Sequence, residues 1–297
     1  MKKLILFSRK KYSAIKNVFT FLIIVFLTIA GKETVAQSQW LDHGKGNSAS
    51  IEIYKPIIPV FESSFIAGVR PEYTTFSGVV FLSGRYEVSK YFTLTAEFPM
   101  VNGKWDDTVE IYNEGGFKVG NPYLGMEYYI PETPVMVDFG FRIPITPEGK
   151  IQASTYGSLA DVDRVEAFVK DIVPFTASVN YRTVSDSKIL FKARVGADLW
   201  FNTKQLGIYN QPLLNTLYTL QAGYIQKNVH FIFGLNGNYV MDSGTNDPEK
   251  QNYIEYGLLV TFPYKNIRPA FSIKVPNAEL GDFLNYVLGL NFTYGFD

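Results

Sequence analysis

Cysteine is absent from this chain of 297 residues, and histidine occurs only at His43 and His230. Without thiols the chain can form no disulfide framework, no cysteine-ligated metal site and no thiol nucleophile. The formal net charge is zero, so the sequence lacks the basic excess that marks nucleic-acid binding. We therefore expect no nucleic-acid partner, no cofactor and no metal.

Charged residues are also scarce, at 19%, whereas aromatic residues reach 16%. A typical chain carries roughly 25% charged residues. Aromatic side chains favour β-strands and collect at membrane interfaces. The composition therefore indicates a β-rich protein with interfacial surfaces.

The N-terminal segment has the organisation of a secretory signal peptide. Residues 1–17 carry six basic residues and no acid, residues 18–30 form an apolar run, and small residues precede a cleavage site after Ala36. The apolar run is shorter than the roughly 18–20 residues that a transmembrane helix needs. We predict a signal peptide over residues 1–36 and a mildly acidic mature protein over residues 37–297.

Apolar and polar residues alternate along the rest of the chain, where no run of 18 apolar residues occurs. This period-2 alternation, clearest over 284–296, predicts strands with one apolar face. The runs exceed the roughly 5–6 residues usual in soluble strands and suit the roughly 9–11 of a tilted membrane crossing. The predicted strands span residues 49–58, 75–88, 90–101, 118–130, 134–145, 173–184, 188–201, 213–226, 229–241, 251–263, 267–275 and 283–296.

Short and long connections alternate between these strands. The turn at 131–133 is tight, for example, whereas the loop at 146–172 has 27 residues. Outer-membrane barrels have an even strand number, short periplasmic turns and longer extracellular loops, and their closure leaves no unpaired backbone in lipid. The predicted fold is an all-β transmembrane barrel of about 12 antiparallel up-and-down strands in the bacterial outer membrane. A secreted or periplasmic β-protein is the alternative.

Two stretches resemble known outer-membrane proteins. The ending Tyr286–Phe296 resembles the C-terminal recognition strand of outer-membrane barrels, although Asp297 follows the final aromatic. That resemblance implies an assembly signal for the barrel-assembly machinery, formed by Tyr286, Leu288, Leu290, Phe292, Tyr294 and Phe296. The stretch Gly84–Val101 resembles a hairpin of outer-membrane transporters of the meta-pathway phenol-degradation type, which implies transport of small molecules.

The polar faces of the predicted strands carry seven acids and seven bases, which would line the barrel interior. Charges are tolerated within a membrane protein where they face water or each other. Two roles stay open for them, structural neutralisation and charge selection. The predicted lumen-lining charges are Glu52, Arg85, Glu87, Glu97, Glu127, Asp138, Arg142, Arg182, Lys192, Arg194, Asp198, Glu255, Arg268 and Lys274.

Counting along neighbouring strands predicts two pairs among these charges. Glu255 should lie level with Lys274 and form an ion pair across the strands. Glu127 should lie opposite Asp138, and two carboxylates side by side require a nearby cation. The candidates for that cation are Arg182 and Lys192.

Within the loop at 146–172, apolar residues recur at helical spacing between charged ones. A short amphipathic helix there would either fold into the barrel mouth as a constriction or cap it from outside, and both alternatives stay open. The apolar positions are Leu159, Val162, Val165, Phe168 and Val169. The three tryptophans, Trp40, Trp105 and Trp200, are predicted to anchor the barrel at the membrane interfaces.

A barrel of this size would have a bore between those of filled small barrels and open porins. We predict a passive channel or facilitator for small solutes, with outer-membrane lipid as its surroundings. A closed structural or binding barrel acting through its loops, and a barrel enzyme acting on lipids, are the alternatives. We expect no enzymatic activity, because neither histidine has a serine two residues away and no phosphate-binding glycine loop occurs.

Overall fold

The structure, a computed structural model, describes residue 40 and residues 46–58, 77–103, 115–204, 212–241, 252–277 and 284–296. The predicted signal peptide, His43 and Trp105 lie outside the described residues. Among the described residues, no helix is long and apolar enough to cross a membrane.

Thirteen strands, numbered in chain order, form one antiparallel sheet and confirm the predicted all-β class. They are β1 Asn47–Ile57, β2 Gly78–Ser89, β3 Phe92–Gly103, β4 Gly116–Val119, β5 Tyr123–Tyr129, β6 Val135–Arg142, β7 Ile172–Val184, β8 Ile189–Asn202, β9 Leu213–Ile225, β10 His230–Val240, β11 Asn252–Thr261, β12 Ile267–Pro276 and β13 Tyr286–Phe296.

The sheet closes on itself, because β1 pairs with β2 on one side and with β13 on the other. The closing seam runs in unbroken register from Asn47 opposite Phe296 to Ile57 opposite Tyr286. Strands β4 and β5 both pair with β3, so they are two parts of one wall strand and the barrel has 12 wall strands. Closure removes the sheet edges that lipid would leave without hydrogen-bond partners.

The predicted strand 118–130 is interrupted at Gly120, Asn121 and Pro122. Its pairing with β3 shifts by one residue there, as at a β-bulge. Proline has no N–H to donate to the ladder, and Asn121 turns its own N–H to the Ala167 carbonyl, 2.6 Å away. The wall therefore leaves its regular ladder at the point where it meets a segment inside the barrel.

Side chains alternate between the two faces of the wall as predicted. On β13, for example, Leu288 and Leu290 are exposed on the outer face, whereas Val287 and Asn291 are buried in the interior. Exposed large apolar side chains recur on the outer face all round the barrel, which is the band that lipid requires. Leu284 is an exception to the predicted outward face, because it precedes β13 and is buried inside.

The tight turns occur at one end of the barrel, here named the short-turn end, and the long connections at the other, the long-loop end. Glu132, Lys188 and Lys265 adopt positive φ angles of 60°, 65° and 52° in three of these turns. Residues 143–171 connect β6 and β7 at the long-loop end.

Residues 146–171, here named the inserted segment, fold inside the barrel rather than over it. The segment contains helix α1, Ile151–Ser158, and a 3₁₀ helix, Val162–Phe168. The Tyr156 hydroxyl donates to the Pro56 carbonyl of the β1 strand at 2.9 Å, and the Phe168 ring packs edge-on against Phe81 of β2. Of the two alternatives left open by the sequence, the structure has the inward one.

The helix expected near 159–169 is present as the 3₁₀ helix, with a kink at Arg164. Helix α1 was not predicted, because its sequence has no apolar stripe. Gln152, Ala153 and Tyr156 lie on one face of α1 and are buried there, whereas Ile151 is exposed.

Candidate functional site in the barrel lumen

Arg164, in the 3₁₀ helix, is the centre of a buried ion-pair network. Its guanidinium lies 3.0 Å from Glu52 Oε2 on β1, 2.8 Å from Glu97 Oε2 on β3 and 2.7 Å from Asp161 Oδ2. The face of the Phe81 ring lies 3.7 Å from the guanidinium carbon. A guanidinium has five N–H donors in a planar fork, so one arginine can bind several carboxylates at once. Arg164 thus neutralises acids on two wall strands and one in its own segment.

Arg142, at the end of β6, extends this network along the wall. It lies 2.9 Å from Glu97 Oε1 and 2.6 Å from Glu166 Oε1 in the inserted segment. Its guanidinium also donates to the Asn121 carbonyl at 3.1 Å. Glu97 is therefore shared by two arginines, one from the wall and one from the segment.

Asp161 joins the segment to β12. Its carboxylate lies 3.2 Å from the Lys274 ammonium of β12 and caps the 3₁₀ helix by accepting from the Asp163 N–H. Burial would raise the pKa of Asp161, but the charges of Lys274 and Arg164 outweigh it and lower the pKa from 3.8 to about 2. Asp161 is consequently ionised throughout the physiological range.

Asp163 gives the segment a third attachment. Its Oδ2 accepts a hydrogen bond of 2.8 Å from the Asn236 amide of β10 and lies 3.7 Å from Arg194 of β8. With the contacts of Arg164 and Asp161, the charged residues of the segment reach β1, β3, β8, β10 and β12. The segment is thus held from around the barrel.

Glu255 and Lys274 form the predicted ion pair, with 3.3 Å between the charged atoms, although not directly opposite each other. Glu255 is opposite Pro276, and Lys274 is opposite Gly257, two residues away. The long lysine side chain spans this diagonal step.

Two tryptophans do not lie at the membrane interfaces, contrary to the prediction. Trp40 is fully buried in the lumen, where its indole donates to Glu255 Oε1 at 3.0 Å and packs over Gly257. Trp200, on the inner face of β8, donates to the Asp198 carboxylate, which also accepts from Thr176. Both indoles use their N–H on a buried acid rather than on a lipid headgroup.

Glu127 lies opposite Asp138, as predicted. The cation that contacts Glu127 is Arg85 of β2, rather than one of the two predicted candidates. Asp138 accepts hydrogen bonds from Ser178 and Asn180 of β7. The remaining predicted charges lie on the inner-face positions nearer the short-turn end and are half-buried or exposed; they are Glu87, Arg182, Lys192 and Arg268.

Above the ion pairs, toward the long-loop end, lies a cavity of about 1220 Å³, here named the vestibule. The apolar residues of the inserted segment form one side, with Leu159, Val162 and Val165 facing the space. The ends of β8 to β11 form the other side, with Trp200, Leu213, Asn215, Asn238, Val240 and Tyr253. The amphipathic pattern read in the sequence therefore separates an ion-paired face from a vestibule face.

Two asparagines of the vestibule wall carry buried polar atoms without partners. Asn215 is fully buried, and neither its amide nitrogen nor its oxygen has a hydrogen-bond partner among the described residues. The same holds for the side-chain oxygen of Asn238. Other polar side chains of the lumen face share this property, including Asn291 on β13.

Toward the short-turn end, the inner face of the wall also contains an apolar cluster. Leu190, Ile232, Leu259 and Ala270 of four different strands pack together there. Among the described residues, no three His, Cys, Asp or Glu side chains come together in a way that would hold a metal ion.

Sequence reasoning did not place the charges of the inserted segment, Asp161, Asp163, Arg164 and Glu166, in the lumen. Their mixture with regularly spaced apolar residues was the available signal, but it could not tell which face meets the wall. The Asn121-Pro122 dipeptide was a second signal, since this pair marks a break in regular structure.

Comparison with known proteins places this architecture among outer-membrane barrels. A crystal structure of the "COG4313 outer membrane channel from Pseudomonas putida F1" superimposes with a TM-score of 0.59 at 12% identity, over 88% of this chain and 100% of that one. The chain has the fold of an outer-membrane β-barrel. That fold and the apolar outer band place it in the bacterial outer membrane.

Other outer-membrane barrels align less well with this one. "KdgM porin in complex with disordered oligogalacturonate" has a TM-score of 0.45 at 11% identity, covering 84% of this chain and 99% of that one. "LpxR from Salmonella typhimurium" has a TM-score of 0.48 at 11% identity, covering 84% and 100%. No protein-family model and no curated protein matches the sequence.

Proposed function

We propose that this outer-membrane barrel is a passive channel for small solutes, with the inserted segment as its constriction. The observation that carries the proposal is the vestibule of about 1220 Å³, which lies inside a closed barrel and directly above the ion-paired segment. Small-molecule pockets usually have volumes of about 300–1,000 Å³, so a small solute has room there. The similar crystal structure is titled a channel, which supports the same function.

The charges of the ion-pair network do not form a ring of one sign that would select ions by charge. Acids and bases alternate within the network around Arg164 and Arg142 and compensate each other. Channels that select for charge line the pore with one sign. We therefore propose weak charge selection, with size limited by the segment.

A second candidate is a closed barrel that acts through its extracellular loops. The specific observation in its favour is that the segment is tied to five wall strands by buried ion pairs and hydrogen bonds. We propose no catalytic role, since the only histidine within the described residues, His230, begins β10 at the short-turn end.

Ion current across a planar bilayer separates the two candidates. The matched variant replaces residues 148–170 with a short Gly-Ser linker, and heat-modifiable migration on a gel verifies that each protein has folded. A channel should give small, steady current in the unaltered protein and larger current in the variant. If the unaltered protein gives no current and the variant conducts, the channel proposal is wrong and the closed barrel is supported.

A further inference from the structure

The buried ion pairs around the inserted segment contain more acids than bases among the described residues. Every member of these pairs is buried, so the charges are shielded from bulk water. The six acids are Glu52, Glu97, Asp161, Asp163, Glu166 and Glu255, and the four bases are Arg142, Arg164, Arg194 and Lys274. If all of these groups were ionised, the network would carry two uncompensated negative charges.

An uncompensated carboxylate is costly in such a buried network. A buried acid without a counter-charge takes up a proton rather than remain charged. The protonated carboxyl group is neutral and gains an O–H donor. Two protons would therefore complete the charge balance that the four bases leave incomplete.

Asp163 and Glu255 are the two acids with the weakest attachments. Asp163 Oδ2 lies 3.7 Å from the nearest arginine nitrogen, and Glu255 Oε1 lies 3.3 Å from the Lys274 ammonium. Each of the other four acids has a guanidinium nitrogen at 3.0 Å or closer. The second oxygens, Asp163 Oδ1 and Glu255 Oε2, are buried and have no partner among the described residues. The number of weakly held acids thus equals the number of surplus negative charges.

Asn236 brings these two acids together. It lies directly opposite Glu255 in the sheet and donates its side-chain amide to Asp163 at 2.8 Å. The negative charges of the two acids repel each other. The other groups that face Glu255 are Lys274 of β12, Asp161 of the segment and Trp40. The pairing of Asp163 with Glu255 therefore favours the binding of a proton.

Asp163 is the member of this pair that belongs to the segment. Asn236 of β10 is neutral, and helix α1 carries no charged residue. The charged groups that face Asp163 among the described residues are Arg194 of β8, Glu255 of β11, Lys274 of β12, and Asp161 and Arg164 of its own segment. Burial raises the pKa of Asp163 from 3.8 to about 7, although Arg194 lowers it. Asp163 therefore changes its charge near neutral pH.

The protonation of Asp163 depends on whether the segment is docked. Release would return the side chain to water, where a carboxyl group is ionised above about pH 4. Between about pH 4 and pH 7, docking therefore requires the uptake of a proton. The docking equilibrium constant falls about tenfold per pH unit over this range for each proton taken up. Docking is thus favoured at the acidic end of the range, and the loss is complete above it.

We propose that docking of the inserted segment is coupled to the uptake of protons by Asp163 and Glu255, so that mild acid holds the segment in the lumen and neutral pH loosens it. The inference rests on the proposed channel in one respect, because the segment is its constriction. Release of the segment as the pH rises would then increase the current.

The rate of proteinase K cleavage within 146–171 measures release on folded barrels in detergent. A synthetic peptide of residues 146–171, digested in parallel at each pH, corrects for the pH dependence of the protease itself. The corrected rate should rise at least about tenfold between pH 5 and pH 7. All digestions contain EDTA, so protection that needs a bound metal ion would be lost at pH 5. Such a loss, or a corrected rate that does not change with pH, would overturn the proposal.

The variants Asp163→Asn and Glu255→Gln have nearly the shape of the protonated side chains and cannot ionise. Each should reduce the rise in cleavage between pH 5 and pH 7, and the double variant should abolish it. The matched control is Glu87→Gln, which replaces a half-buried acid near the short-turn end, outside the network, and should keep the full rise. An equal rise in the double variant and the unaltered protein would contradict the proposal.

An infrared spectrum of the unaltered protein is a second test if a variant does not fold, as judged by heat-modifiable migration. A protonated carboxyl group absorbs separately from a carboxylate. The band of the protonated form should persist at pH 6, where carboxyl groups with ordinary pKa values are ionised. Absence of this band would overturn the proposal.

Cleavage and current together separate this inference from the proposed channel. Cleavage needs no conduction, so a pH-dependent rate in a protein that gives no current at any pH would remove the channel and keep the coupling. Current through a protein whose corrected cleavage rate does not change with pH would remove the coupling and keep the channel.

Discussion

The two faces of the inserted segment differ in how their polar neighbours are satisfied. Toward the lumen wall, Asp161, Asp163, Arg164 and Glu166 all form ion pairs or hydrogen bonds with wall strands. Toward the vestibule, the segment presents aliphatic side chains, and the wall across the space carries Asn215 without a partner among the described residues. One face is held to the wall by ion pairs, and the other borders a cavity.

This difference indicates which contacts fix the position of the inserted segment. Buried ion pairs contribute little net stability when formed, but removing one partner is costly because it leaves an uncompensated buried charge. The paired face should therefore be intolerant of single substitutions. Changes on the vestibule face should leave the position of the segment unchanged.

The largest expected effect is that of Arg164→Leu, which leaves Glu52, Glu97 and Asp161 without their shared cation. Breaking a buried pair in this way costs about 3–5 kcal/mol. Docking of the segment should weaken by that amount, so proteinase K should cleave within 146–171 on the order of 10²-fold faster or more. Cleavage sites and rates are measured by mass spectrometry on folded barrels in detergent.

The matched control for this variant is Arg182→Leu. Arg182 lies on the same lumen face but is exposed near the short-turn end, so its loss should leave the cleavage rate unchanged. Equal protection of the segment in Arg164→Leu and the unaltered protein would contradict the view that the ion pairs hold it.

A second variant, Gly120→Ala, acts on the same face through packing. A Cβ atom at Gly120 would lie 2.3 Å from the Ala167 carbonyl oxygen and 2.9 Å from the Phe168 ring, so wall and segment must move apart. Overpacking of this kind costs about 1–3 kcal/mol and should raise the rate of proteinase K cleavage. At Gly295 the nearest atoms are 3.8 Å away, and Gly295→Ala is the control that should cleave at the unaltered rate.

Acid should release the segment only at very low pH. The pKa of Asp161 in the folded protein, about 2, lies below its ordinary value of 3.8. Its contribution to docking, about 2 kcal/mol from that difference, is complete above the ordinary value and is lost as the pH falls toward 2. Pepsin, which is active in acid, should cleave the segment faster at pH 2 than at pH 4.

The control for this prediction is Asp161→Asn, which retains a helix-capping side chain but cannot titrate. The acid effect should be smaller in this variant than in the unaltered protein, because its side chain at position 161 keeps the same charge at pH 2 and pH 4. An identical pH profile in both proteins would show that Asp161 does not contribute.

The smallest effect is expected at the rim of the barrel. There, Glu148, Lys170, Asp171 and Lys204 form a cluster of exposed ion pairs. The hydrogen bond and charge of Lys204 lower the pKa of Glu148, but water and salt screen such pairs. Lys204→Met should leave the cleavage rate of the segment unchanged, and a large increase would mean that the rim also holds it.

The wall of the barrel could be predicted because lipid imposes a rule on every strand. Apolar residues must face outward at every second position, as Leu288 and Leu290 do, so local sequence determines the strand positions and their faces. The predicted register between neighbouring strands was less accurate than the predicted strand positions. Glu255 and Lys274 were expected to lie level but are two residues apart, because the turn between β11 and β12 sets a register that differs from the one counted along the sequence.

The lumen could not be predicted to the same degree, because its contacts join distant parts of the chain. Arg164 and Glu52 are 112 residues apart, and Trp40 and Glu255 are 215 apart. No local pattern shows that a loop folds inward or that a tryptophan binds an interior acid. The alternation along the strands predicted interior charges of both signs, but their partners depend on where the inserted segment lies.

The position of Glu52 has a consequence for the order of assembly. Glu52 lies on β1, which forms the closing seam with β13, and it also binds Arg164 of the inserted segment. In a barrel that closed before the segment entered, this carboxylate would face water in the lumen, and that water would have to leave before the cation could bind. We therefore expect the nascent sheet to close around the segment, so that water is excluded while the seam forms.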